Sequence, residues 1–336
     1  MKPIKALALY SGGLDSILAC RVIMEQGIAV KALHFITPFT GYHKKGREEA
    51  VREHARRTYG IDLQVIDIGR EYTEVVAHPR HGYGKHFNPC VDCKIFFISR
   101  ARELMESEGA SFLITGEVIG QRPMSQRRDT LHIIEHDSRT QGILLRPLCA
   151  QHLRPTIPEQ EGLVDRARLL AFAGRGRKDQ MALAARYGIK DYPPPAGGCL
   201  LADPNIAARL QWMFDNLNDR SFEGMLLTTL GRHFALGEKT LLVVGRDERE
   251  NGRIAQLGRN DDLELELVSL PGPLSLLRGP AGPESIRIAA AITAFCSKAR
   301  NARQVEVTCR KAGSPGGEVA RVDPLPEEAL ASYRIS

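Results

Sequence analysis

The first 120 residues alternate short apolar runs with segments that carry one polar face. Ile4 to Tyr10 (IKALALY) is an apolar run of strand length, which suits a strand buried on both faces. A turn containing two glycines follows, then a helical pattern from about Asp15 to Gln26. Val30 to Ile36 (VKALHFI) predicts the second strand, Lys45 to Tyr59 a helix with a charged face, and Leu63 to Ile68 the third strand. A further helix is expected over Ile95 to Glu108, and a strand over Phe112 to Thr115 that breaks at Gly116. This alternation predicts an α/β fold with a doubly wound, mostly parallel sheet, whose ligands sit at the carboxyl ends of the strands.

Tyr192 to Gly198 reads YPPPAGG, which continues neither a helix nor a central strand and marks a linker or a site loop. The texture then changes. Leu226 to Phe234, Thr240 to Gly245 and Asp262 to Leu270 read as strands, Glu284 to Ala299 as a helix, and Gln304 to Arg310 as a last strand. The expected organisation is a large domain over residues 1–203 and a smaller α+β domain over 204–336, with a weakly held tail after Pro324.

Composition bounds this picture. A chain of 336 residues exceeds what one hydrophobic core usually organises. With 43% hydrophobic and 26% charged residues it has the make-up of a globular protein. It lacks the run of roughly 18 apolar residues that a membrane span needs, and the first residues do not form a signal peptide. The cytoplasm is therefore the expected compartment. Seven cysteines are an odd number, which favours reduced, metal-binding or catalytic thiols over a disulfide framework. Residues 1–202 carry 29 basic and 22 acidic side chains and residues 203–336 carry 17 and 18, so an anionic partner has more reason to approach the first part.

Ser11-Gly12-Gly13-Leu14-Asp15-Ser16 lies between the first strand and the first helix, where backbone N–H groups can hold phosphate oxygens. A Walker A loop would carry a lysine for the terminal phosphates, and none follows until Lys31. A loop without it suits cleavage between the α- and β-phosphates of ATP, with Asp15 assisting through Mg²⁺. The plain alternative is a Ser/Gly turn capped by Asp15 or Ser16. SGGLDS in this context resembles the PP-loop ATP pyrophosphatase family, whose members activate a carbonyl oxygen as an adenylate and replace it with nitrogen or sulfur. That resemblance implies adenine contacts from the main chain of Leu33, His34 and Phe35, with the His34 side chain a structural strand residue.

Asn88 to Lys94 reads NPCVDCK, Leu113 to Gln126 reads LITGEVIGQRPMSQ, Pro195 to Pro204 reads PAGGCLLADP, and Thr37 to Thr40 reads TPFT. Together these segments resemble the tRNA 4-thiouridine synthetase family, and the N-P-x-x-x-C pattern with a distant second cysteine is similar to the bacterial tRNA 2-thiouridylases. The resemblance implies that Gly116, Glu117, Gln121 and Gln126 border the adenylate; a capped helix start is their structural alternative. The ferredoxin-like and THUMP portions of the 4-thiouridine enzymes have no room before this loop, so tRNA is expected to be held differently. Cys90, Cys93 and Cys199 would bind three irons of a [4Fe–4S] cluster and leave the fourth open to hydrosulfide. The alternatives are a persulfide and resolving pair at Cys93 and Cys199, with Lys94 as a nearby cation, and zinc with His81 or His86 as fourth ligand. Cys20, Cys149, Cys296 and Cys309 are expected to be packing residues. His78, His81 and His86 are expected to be solvated.

Between Arg122 and Lys178 there are 11 basic and 6 acidic residues. Arg122, Arg127, Arg128, Arg166, Arg168, Arg175, Arg177 and Lys178 are candidates for an RNA backbone, and a solvated charged face is the alternative. Gly231 to Gly237 (GRHFALG) and Leu241 to Asn251 (LLVVGRDEREN) resemble an NFACT-type RNA-binding domain, which would make Arg232, His233, Arg246 and Asn251 RNA contacts; otherwise they form a hairpin with exposed polar residues. The resulting expectation is ATP-dependent tRNA thiolation, with tRNA and a sulfur donor (cysteine desulfurase, sulfurtransferase or free sulfide) as partners and a homodimer among the states open to it. The competing readings are a PP-loop enzyme acting on a small molecule or carrier protein, and a non-catalytic RNA-binding module with a vestigial nucleotide pocket.

Overall fold

The computed structural model describes residues 4–194 and 199–335, and its contacts divide the chain into two units, residues 1–199 and 200–336. Pro195 to Gly198, within the expected linker and the PAGGC segment, lie outside the described residues. The first unit runs β1 (Lys5–Leu9), α1 (Leu14–Met24), β2 (Ala29–Ile36), α2 (Glu48–Tyr59), β3 (Asp62–Asp67), α3 (Gly69–Ala77), α4 (Cys90–Glu103) and α5 (Met105–Glu108). It continues with β4 (Phe112–Thr115), α6 (Arg128–Asp137), β5 (Leu144–Leu145), α7 (Ile157–Gln160) and α8 (Lys178–Arg186).

The strands form one sheet in the order β3-β2-β1-β4-β5, with every pair parallel. Successive side chains of β1 point to opposite faces, which is why an unbroken apolar run was needed there. Ala6 and Ala8 join a core with Ile17 and Leu18 of α1 and Leu183 of α8. Leu7 joins the other core with Ile98 and Ala101 of α4 and Ile134 of α6. Each fully buried leucine of this kind contributes about 1.5–3 kcal/mol. The doubly wound sheet expected from the sequence is therefore present, and its winding reverses between β1 and β4, the position at which such folds open a ligand crevice. One element starts earlier than expected. α4 begins at Cys90 rather than Ile95, so the C-x-x-C forms its first turn.

The second unit comprises α9 (Pro204–Trp212), α10 (Phe222–Thr228), β6 (Arg232–Ala235), β7 (Leu241–Val244), α11 (Glu248–Gln256), β8 (Leu263–Leu267), β9 (Ser275–Arg278), α12 (Pro283–Phe295), β10 (Val305–Lys311), β11 (Glu318–Val322) and α13 (Glu327–Leu330). Its antiparallel sheet has the order β11-β10-β8-β9-β7-β6. α12 packs on one face, and Leu227 of α10 with Ile254 of α11 on the other.

Four expectations for this unit need correction. The run from Leu226 begins in a helix: Gly224 to Thr228 are all buried, so no polar face betrays its period, and Ser221 caps it by accepting from Gly224 N. Arg232–Ala235 and Leu241–Val244 pair as the expected hairpin, but Arg246 to Asn251 leaves it and enters α11, capped by Asp247. β10 is followed by β11 and is not the last strand. The tail is held: Leu330 is buried in the α12 core, Ala235 N donates to Tyr333 O at 2.7 Å and Ile335 N to His233 O at 3.0 Å. Among the described residues no helix is long and apolar enough to cross a membrane.

Candidate functional site

The loop after β1 enters α1 through Gly12, whose φ of 84° suits glycine, and Gly13, which caps the helix without a side chain. Ser16 Oγ donates to Gly13 O at 2.7 Å, and Ser11 Oγ accepts from Gly13 N at 3.2 Å. The serines thus brace the turn from within. Gly116, at the end of β4, lies so close that a Cβ there would stand 2.5 Å from the carbonyl of Asp15 and 2.6 Å from Ser16 N. Only glycine lets the two strand ends meet. This approach brings Gln121 to the loop, where its Nε2 donates to Asp15 Oδ2 at 3.0 Å. Asp15 Oδ1, Gln121 Oε1 and Gln126 Oε1 are buried without a hydrogen-bond partner. A carboxylate oxygen in that state costs free energy unless a cation or donor meets it, so Asp15 fits the Mg²⁺ expected beside ATP.

A lysine does reach this loop. The β1–β2 ladder ends at Leu9 and Leu33, and the chain beyond β2 turns through Gly41 into a short 3-10 turn, Tyr42–Lys44. A Cβ on Gly12 would lie 3.5 Å from Lys44 Nζ. Lys44 Nζ is also 3.3 Å from His34 Nε2, and His34 Nδ1 is 2.8 Å from Tyr10 O. The carbonyl can only accept, so Nδ1 carries the proton and Nε2 accepts from the ammonium. Burial, reinforced by the Lys44 charge, pushes the His34 imidazole down to about 4 and keeps it neutral. Burial also lowers Lys44 from the ordinary lysine range. Lys44 escaped the sequence reading because its approach depends on the crossing of two loops.

The three cysteines also gather at this edge. Cys93 Sγ is 2.9 Å from the hydroxyl of Tyr72, a fully buried phenol stacked on Phe97. Cys199 Sγ is 3.8 Å from Phe39 O and 4.0 Å from Thr40 Oγ1, in the TPFT segment. Cys90 Sγ meets Asn88 Oδ1 at 3.1 Å. Burial pushes the Cys93 thiol up, the neighbouring Cys199 and Cys90 add to the shift, and Tyr72 and Lys94 oppose it. Burial likewise raises Cys90, against Asn88, Lys94 and Arg122. The thiols are therefore close enough to feel one another and the Gln121–Gln126 segment. Their soft donor chemistry fits a thiolate-bound cluster in kind, yet among the described residues no group of three His, Cys, Asp or Glu side chains is spaced to hold a metal ion. His81 Nε2 is bonded to Asp137 at 2.9 Å and His86 is exposed, so neither stands with the thiols as a zinc ligand.

Glu117 and Lys94 connect the two halves. Glu117 is buried and accepts from Arg146 Nε at 3.0 Å and Thr115 Oγ1 at 3.2 Å, with Lys94 Nζ 3.5 Å away. Burial alone would raise its carboxyl, but Lys94 and Arg146 outweigh it and hold the group below the usual range. Arg146 is itself 1% exposed and bonds Glu135 as well. The structure thus places Glu117 in an ion network behind the crevice, a role its motif did not announce.

Of the basic candidates, Arg122, Arg127, Arg128, Arg175 and Lys178 are exposed, and Arg177 is half-buried. Arg128 donates to His152 O, and Arg127 pairs with Asp129 at 3.4 Å. An open cavity of about 580 Å³ lies between Ile119, Gly120, Arg127, Arg128 and His132. Arg166 is half-buried and paired with Glu159, and Arg168 is exposed and donates to the Glu25 carbonyl. In the second unit Arg232 is exposed, whereas His233 is buried against the carbonyls of Leu227 and Leu230. Arg246 is paired with Glu250 and Asn251 donates to Gly272 O. Cys20 and Cys149 are buried; Cys296 and Cys309 are half-buried beside the α12 core.

Comparison with known proteins covers both units. Residues 3–154 match the family model of the thiamine biosynthesis protein (ThiI), and residues 231–334 match that of the NFACT protein RNA binding domain. A tRNA-specific 2-thiouridylase MnmA of Syntrophotalea carbinolica is 31% identical over 138 residues, 39% of this chain and 36% of its own length. A protein of Staphylococcus aureus named Probable tRNA sulfurtransferase is 30% identical over 148 residues, 43% of this chain and 34% of its own. The chain spans about a third of the length of these curated relatives. A solved 4-thiouridine synthetase–RNA complex with bound ATP aligns with a TM-score of 0.41 and 20% identity, over 66% of this chain and 53% of that one. The family models thus support the resemblance to ThiI-like PP-loop proteins over residues 3–154 and to an NFACT-type domain over residues 231–334.

Proposed function

We propose that this protein is an ATP-dependent tRNA sulfurtransferase. ATP lies on the Ser11–Ser16 loop with Mg²⁺ at Asp15, and its adenine meets the main chain of Leu33, His34 and Phe35. A uridine carbonyl oxygen of tRNA attacks the α-phosphorus. The new P–O bond forms as the bridging bond to the β-phosphate breaks, and its electron pair leaves on pyrophosphate. The base carbon, a poor electrophile before adenylation, then accepts sulfur, and AMP departs with the former carbonyl oxygen. Positioning and charge neutralisation carry most of the catalysis. The observation that supports this reading most is convergence: the loop after β1, the Gly116–Gln126 segment and the thiols of Cys90, Cys93 and Cys199 meet at one edge of one parallel sheet.

Cys90, Cys93 and Cys199 would hold a [4Fe–4S] cluster by three irons, which when bound supplies hydrosulfide at the fourth. In a second form of the same reading, Cys93 carries a persulfide and Cys199 resolves it to a disulfide that an external thiol reduces. The tRNA backbone would follow Arg122, Arg127, Arg128, Arg175, Arg177 and Lys178, with Arg232 in the second unit. Sulfur would reach the cluster form as free sulfide, and the persulfide form as sulfane sulfur passed from the persulfide of a cysteine desulfurase or sulfurtransferase. Mass spectrometry of nucleosides from tRNA of a deletion strain tests the proposal: one thiolated uridine should disappear and return with the wild-type gene. An unchanged set of thiolated nucleosides, or conversion of ATP to ADP by the purified protein, overturns it. Iron and sulfide analysis after anaerobic purification separates the two sulfur carriers.

A further inference from the structure

We infer that Lys44 is the cation that holds the β- and γ-phosphates of ATP over the Ser11–Ser16 loop and stays with them as pyrophosphate leaves. The inference rests on the nucleotide reading above and names which residue neutralises the leaving group. Three observations carry it. The ammonium stands beside Gly12, 3.5 Å from where a Cβ would sit, in the turn of the loop. It is fixed there by His34 Nε2 at 3.3 Å, and His34 is in turn fixed by Tyr10 O at 2.8 Å. Finally, Gly41 has φ 68°, and a Cβ on it would lie 2.7 Å from His34 Nε2, so the turn that delivers Lys44 closes over the imidazole only with glycine at that position.

The arrangement supplies through tertiary contact what a Walker A loop supplies through sequence. As the oxygen nucleophile bonds to the α-phosphorus, the bridging oxygen takes the electron pair of the breaking bond, and the added negative charge falls on the departing pyrophosphate. A half-buried ammonium is worth more to that charge than one in water. His34 offers it a neutral acceptor, and among the described residues no carboxylate is paired with Lys44, which leaves the ammonium available to phosphate oxygens. His34 is a positioning residue in this scheme, and Lys44 is the one that touches the nucleotide.

The test is calorimetric titration of the full-length protein with Mg-ATP, with magnesium pyrophosphate and with AMP, for wild type, Lys44→Met, Lys44→Arg and His34→Gln. Lys44→Met should weaken ATP and pyrophosphate by about tenfold to a hundredfold, the range of a lost charge-assisted hydrogen bond, and leave AMP within twofold. Lys44→Arg should recover most of the loss, and His34→Gln should show a smaller loss with the same pattern. Equal weakening of AMP and pyrophosphate, or none of either, overturns the assignment. These readouts need no RNA, so a wild-type protein that binds ATP but thiolates no tRNA defeats the functional proposal while leaving the role of Lys44 decided. A wild-type protein that binds none of the three ligands overturns both.

Discussion

The parallel sheet of the first unit sends the connections after β1, β2 and β4 out of one edge, whereas the antiparallel sheet of the second returns its connections to both ends. The contrast extends to charge. At the first edge Asp15 Oδ1, Gln121 Oε1 and Gln126 Oε1 are buried without partners. In the second unit the arginines already meet carboxylates: Arg310 meets Glu264 and Glu266, Arg278 meets Asp262, Arg259 meets Asp219 and Arg246 meets Glu250. The three partnerless oxygens stand together at the edge proposed as the nucleotide site, whereas these arginines of the second unit are paired within it. The basic surface that the second unit can offer to RNA is therefore smaller than its 17 basic side chains suggest.

The largest effect should come from the unsatisfied side. Asp15→Ala is expected to cut pyrophosphate release by on the order of 10²–10³, with tRNA retention on filters unchanged; loss of both together would mean that the two units do not divide the work. Arg278→Met probes the satisfied side. It strands Asp262, which is 3% exposed and 2.7 Å from the guanidinium, and should cost the second unit about 3–5 kcal/mol in urea unfolding. ATP binding by the first unit should persist, and adding Asp262→Leu should recover part of the loss.

Acid offers a finer separation. Burial, with Lys44 nearby, holds His34 down to about 4, and burial, with Arg209 nearby, holds His233 down to about 3, against an ordinary value of 6.5. Both imidazoles bind protons more readily when unfolded. Their stabilising contributions are complete above pH 6.5 and fall away as pH drops, through about 4 for His34 and about 3 for His233. His233→Gln should flatten the acid dependence of the second unit between pH 6.5 and 3 and leave that of the first intact, as followed by tryptophan fluorescence of Trp212 and by ATP binding. The smallest effect is expected at Gly252, exposed in α11 with nothing within 4 Å of an added Cβ. Gly252→Ala should raise the stability of the second unit by about 0.5–1 kcal/mol.

Much of the first unit was legible because β1, β2 and β4 are largely buried apolar runs separated by polar-faced helices. α10 was not, because a helix buried all round has no stripe. α11 was missed although its signal is present: Asp247 accepts from Glu250 N, an N-cap followed by glutamate three residues later. In the site, SGGLDS and the T-G-E segment disclosed themselves by residue type. Lys44, Tyr72 and Arg146 did not, since each makes its contact across the fold from a segment with no motif of its own. His233 misled in the opposite sense, a polar residue in a suggestive segment that two carbonyls hold inside.

The main-chain bonds that tie Tyr333 and Ile335 to β6 bear on handling the molecule. β6 is the outermost strand on its side of the sheet, and the closing residues cover its unpaired amides as a makeshift seventh strand. Trimming them, or pulling on them with a fused tag, would bare a hydrogen-bonding rim on which neighbouring molecules could stack, so purification handles belong at the opposite terminus.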